Sequence, residues 1–131
     1  MKTALFPIMF SAIFSCAVLA TPPSDALLEA IIQVESKGNP NAVGDDGKAI
    51  GLFQIHQCYW ADAVEHDSSI GGSYQDCYDP AYARKIVIAY LDRYAKTATN
   101  EEMARIHNGG PRGHKKSATL KYWLKIKQKL S

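Results

Sequence analysis

The chain is poor in cysteine: Cys16, Cys58 and Cys77 are its only three. A dense disulfide scaffold is therefore excluded, and an ordinary apolar core must carry the fold. Glycine-rich phosphate loops are missing, and so is any internal repeat. The four histidines, His56, His66, His107 and His114, show no metal-ligand spacing. His56 and Cys58 lie close together, but no second pair completes a zinc site. No metal and no cofactor is expected. Acidic residues are absent from Arg112 onward, where seven basic residues stand alone. The body is thus acidic and the C-terminal segment basic. That asymmetry fits a solvated helix face, or steering toward an anionic target such as a bacterial wall. Nucleic acid is not an expected partner, since the net charge is only +2 and no recognition motif is present.

What is present begins with a leader pattern. Lys2 precedes an almost wholly apolar run from Ala4 to Leu19, and the small residues Val18 and Ala20 frame a cut before Thr21. Residues 1–20 therefore read as a secretory signal peptide, and 21–131 as a single domain, secreted and monomeric, with no membrane insertion of the mature chain. Cys16 would leave with the leader. In an oxidising compartment the remaining cysteines, Cys58 and Cys77, are expected to form one disulfide. Closing a ~20-residue loop would contribute about 3 kcal/mol.

Ser24 and Asp25 open a helix whose apolar positions are Leu27, Leu28, Ile31 and Ile32. Continuing that face reaches Val34 and Glu35, before Lys37, Gly38 and Pro40 end it. Glu35 is either a surface residue at a frayed helix end or a partly desolvated carboxyl. Burial and the negative helix end would both raise its pKa, as a general acid needs. Asn39 to Lys48 is rich in turn formers, with Asp45 and Asp46 at its centre and Asp46-Gly47 as a hairpin signal. Aspartates are common in turns for purely local reasons. Ala49 to His56 reads as the return strand. Tyr59 and Trp60 sit on a short helix, either as core or as a flat aromatic platform for sugar. Asp79-Pro80 starts the longest helix, and Thr119 to Leu130 makes the last, with Leu120, Trp123, Leu124 and Ile126 inward.

Four segments in order resemble invertebrate-type, destabilase-like lysozymes, and more distantly the soluble lytic transglycosylases. They are Val34-Glu35-Ser36; Gly51-Leu52-Phe53-Gln54-Ile55 with Tyr59-Trp60; Tyr90-Leu91-Asp92-Arg93-Tyr94; and Ala104-Arg105-Ile106-His107-Asn108-Gly109-Gly110-Pro111 with Tyr122-Trp123 downstream. The resemblance implies an α+β, mostly α, lysozyme-like fold with a small β-hairpin beside the cleft. It implies Glu35 as proton donor and Asp45 as second carboxylate, with Asp46 the alternative because the spacing is short. Gln54, His107 and Asn108 fall where the family lines its sugar groove. The chain departs from the family in its few cysteines: Ala63 and His114 stand where cysteines are usual. Beyond Ser36, no serine–lysine dyad for isopeptidase chemistry is evident.

The expected activity is a secreted muramidase that cuts the glycan backbone of bacterial peptidoglycan or a related amino-sugar polymer. One carboxylic acid protonates the leaving oxygen and one carboxylate supports the oxocarbenium-like transition state. The alternatives are a lytic transglycosylase, which needs only the acid, and a non-catalytic wall- or chitin-binding protein on the same frame.

Overall fold

The computed structural model describes residues 21–131. The expected leader at 1–20, with Cys16, lies outside the described residues. Among the described residues, five α-helices carry the fold: α1 Asp25–Ser36, α2 Gln57–His66, α3 Pro80–Tyr94, α4 Asn100–Gly109 and α5 Leu120–Leu130. A two-stranded antiparallel sheet, β1 Val43–Gly44 and β2 Ala49–Ile50, stands between α1 and α2. Val43 faces Ile50 and Gly44 faces Ala49 across it. This is the mostly helical α+β arrangement with a small hairpin that the sequence led us to expect.

Local chemistry sets the helix ends. Ser24 Oγ accepts the Leu27 N–H at 3.1 Å and starts α1. Lys37, with φ 53°, turns the chain out of it. The Asp79 carboxylate accepts the N–H groups of Ala81 and Tyr82 at 2.8 and 3.2 Å, and Pro80 fills the first position of α3. The Glu102 carboxylate accepts the backbone N–H groups of Lys96 and Thr97, both at 2.8 Å. It thereby ties the α3–α4 link to α4.

The core is built from one face of each long helix. Leu27, Leu28 and Ile31 of α1 meet Ile86, Val87 and Leu91 of α3, Ile106 of α4 and Ile126 of α5, all fully or almost fully buried. Burying each such side chain contributes about 1.5–3 kcal/mol. The first and last helices pack against each other, and α2 lies on α3. That places the C-terminal end of α1 between the hairpin, α4 and α5.

Three expectations are corrected. The return strand does not run from Ala49 to His56: it stops at Ile50, and the chain folds back so that Ile55 pairs with Ile50 instead. Gly51 at φ 76° and Gln54 at φ 53° make that turn, which the apolar residues around them conceal. On α5 the inward residues are Tyr122 and Ile126, whereas Leu120 and Leu124 are 44% and 57% exposed. The expected disulfide is not formed: Cys58 and Cys77 are free thiols. Cys58 is exposed on α2 while Cys77 is wholly buried in the turn before α3. Burial lifts the Cys77 thiol to about 12, so it behaves as a small apolar side chain. Its backbone oxygen lies 2.3 Å from where a Cβ at position 51 would be, which leaves that position to glycine.

Candidate active site

A groove of about 470 Å³ opens over the C-terminal end of α1. α1 contributes Val34 and Glu35, the hairpin Gly44 and Asp45, and the following turn Gln54 and His56. Cys58 and Tyr59 come from α2, Tyr90 from α3, His107 and Asn108 from α4, and Tyr122 and Lys125 from α5.

Glu35 is half-buried in the last turn of α1. Loss of water around its carboxyl raises the pKa from 4.5 to about 7. The Tyr122 hydroxyl pulls it back down, the negative charge of Asp45 adds to the rise, and Lys125 opposes it. The negative end of α1 also favours the protonated form. Glu35 is thus a carboxylic acid that still carries its proton near neutral pH.

Asp45 faces the same groove from the hairpin turn, and its Oδ2 lies 2.8 Å from His56 Nε2. Asp45 and Asp46 both have left-handed backbone, at φ 48° and 54°. Asp tolerates this conformation better than most residues do. Asp46 is exposed and does not line the groove, so the favoured aspartate and its alternative differ in position.

Gln54 lines the groove, but its amide is already engaged. Its Nε2 donates to the carbonyls of Ala42 and Gly51 at 3.2 and 3.1 Å. Its Oε1 sits 2.3 Å from where a Cβ on Gly44 would project. The side chain is a strut that braces the hairpin. Asn108 is exposed on the groove wall with its amide unengaged among the described bonds.

His107 lies under the groove and is buried. Its Nε2 lies 3.1 Å from the Phe53 carbonyl, which can only accept, so the ring proton sits on Nε2. Nδ1 then accepts the Tyr59 hydroxyl at 2.9 Å. Burial drives the His107 pKa down to about 4, partly offset by the bond to Phe53. Tyr59 stacks on Tyr90 with ring centres 3.6 Å apart. His107 and Tyr59 are therefore neutral and saturated, and they form a floor.

Trp60 is not on the groove. Its indole N–H donates to Tyr82 Oη at 2.9 Å, and that hydroxyl donates to the Gly71 carbonyl at 2.7 Å. It joins α2 to α3 and to the loop between them. Sequence reasoning missed His56, Tyr122 and Lys125 as groove residues. Tyr122 and Lys125 are one helical turn apart on α5, a spacing that carries no signal until α5 is known to lie beside α1. Among the described residues, no cluster of His, Cys, Asp and Glu could hold a metal ion. No described helix is long and apolar enough to cross a membrane.

An acid protonated near pH 7, set across a groove from a carboxylate, can protonate a leaving oxygen while a positive centre forms nearby. Comparison with known proteins points the same way. The destabilase family model matches residues 24–129. A lysozyme of Magallana gigas is 39% identical over 112 residues, which cover 80% of this chain and 79% of that protein. Invertebrate-type lysozyme 6 of Caenorhabditis elegans is 38% identical over 128 residues, covering 86% and 93%. The crystal structure of Tapes japonica lysozyme superposes with a TM-score of 0.71 at 33% identity, covering 83% of this chain and 93% of that one.

Proposed function

The chain belongs to the destabilase family of invertebrate-type lysozymes, and on that footing we propose that it is a secreted, monomeric muramidase of bacterial peptidoglycan in which Glu35 is the proton donor and Asp45 the second carboxylate. The observation that carries this reading is the Glu35 carboxyl, raised to about 7 beside the groove that Asp45 also faces. Glu35 gives its proton to the glycosidic oxygen as the bond to the sugar anomeric carbon breaks. Asp45 stabilises the oxocarbenium-like centre or attacks it. Asn108 and Lys125 meet the glycan at the walls. Asp46 shapes the turn that presents its neighbour.

Release of sugar from purified wall tests the assignment. Glu35→Gln should lower turnover by about 100-fold or more. Asp45→Asn should also lose most activity, while Asp46→Asn should lose little. Wild-type rates in Glu35→Gln would sink the assignment. Full activity in both aspartate variants, with anhydro-sugar products, would mean transglycosylase chemistry instead.

A further inference from the structure

Tyr122 presents an anomaly within the groove. Its side chain is only 8% exposed, yet its hydroxyl makes no well-formed hydrogen bond. A buried hydroxyl without a partner costs on the order of 1–3 kcal/mol. The ring is held by its neighbours: it leans over His107, with centres 6.5 Å apart and planes 30° from parallel. The packing of α5 on α1 brings Tyr122 and Glu35 onto the same groove, with the hydroxyl near enough to pull the Glu35 pKa down.

The groups that form the floor beneath Glu35, and the charges that act on it, do not serve as that partner. His107, from α4, has its one N–H committed to Phe53. Tyr59, from α2, has its hydroxyl directed at His107. Asp45, from the hairpin, repels negative charge, and Lys125, from α5, acts only as a nearby positive charge. Of these groups, only the Tyr122 hydroxyl is a buried donor left unspent.

We propose that Tyr122 is a positioning residue that receives Glu35 after proton transfer: its hydroxyl, idle beside the protonated carboxyl, donates a hydrogen bond to the carboxylate left behind. The balance is simple. The proton leaves Glu35 for the glycosidic oxygen, the electron pair stays on the carboxylate, and the tyrosine keeps its own proton while sharing it. The bond strengthens only as charge develops, so it lowers the barrier more than it tightens substrate binding. It also keeps Glu35 acidic enough to let go of its proton. This inference rests on Glu35 being the proton donor.

Tyr122→Phe keeps the ring and removes the hydroxyl. Carbon-13 titration of the Glu35 carboxyl, in wild type and variant, reads proton affinity without any assay of activity. The titration should move up by about half a pH unit or more in the variant. In wall digestion, kcat should fall about 10-fold with KM little changed, and the alkaline limb should move up with the titration. An unmoved carboxyl titration overturns the proposal, whatever the activity. A fall in activity with that titration unmoved would make Tyr122 a packing residue only. Loss of activity in Glu35→Gln bears on the proton donor and is read separately. Thermal melting of the variant at or above that of wild type shows that the substitution leaves the fold intact, since it removes an unpartnered buried hydroxyl.

Discussion

Glu35 and His107 titrate in opposite senses within one site. Folded His107 has its pKa pushed down to about 4 from 6.5, so unfolding takes up a proton between those values. Its neutral state therefore costs stability as pH falls from 6.5 toward 4. Folded Glu35 has its pKa raised from 4.5 to about 7, so it is held without penalty at low pH and costs stability as pH rises through that range. The two slopes oppose each other over most of the interval. Glu35→Gln removes one of them. The variant should gain stability with rising pH where wild type stays nearly flat. Above neutral pH it should be about 2 kcal/mol more stable than wild type, after allowance for the partial exposure of Glu35. Urea unfolding at a series of pH values checks this; parallel curves for the two proteins would contradict it. The sequence permitted Glu35 this role through helical phase alone, and the resemblance then singled it out. It could not show that Gln54 and His107 are spent on the protein itself, because their partners, Ala42, Gly51, Phe53 and Tyr59, are neighbours only once the chain is folded.

At the scale of elements, caps were the most legible feature. Ser24, Asp79 with Pro80, and Gly109-Gly110-Pro111 all mark helix ends that the structure has. Asp79→Ala should cost about 1 kcal/mol by freeing two N–H groups of α3. What sequence could not give was the rotation of α5. Four apolar residues and a run of lysines leave two phases open, and contact with α1 selects the one that buries Tyr122 and Ile126. Ile126→Ala should accordingly cost about 2–5 kcal/mol. Leu124→Gln should stay within about 0.5 kcal/mol of wild type. Chemical denaturation ranks the pair, and the reverse order would place α5 wrongly. The strand after the hairpin misled for a related reason. Ile50, Phe53 and Ile55 are all buried, as in a strand, but they reach the core around a turn rather than along a ladder.

For the whole molecule, the charge asymmetry predicts behaviour on a large anionic substrate. Lys121, Lys127 and Lys129 are exposed on α5 and stand off the groove. Replacing all three by Glu should lower kcat/KM on whole wall about 3- to 10-fold at low salt, and much less at high salt. On a short neutral sugar chain it should change little. An equal loss on both substrates would mean that the lysines act through the fold and not through steering. The mutual packing of α1 and α5 has another consequence, in the order of synthesis. The helix that bears Glu35 is made first, while Tyr122 and Lys125, which line the groove beside it, come last, from α5. A nascent chain that has reached Thr119 holds Glu35 without either of them. The groove is complete only when α5 has been made and has docked.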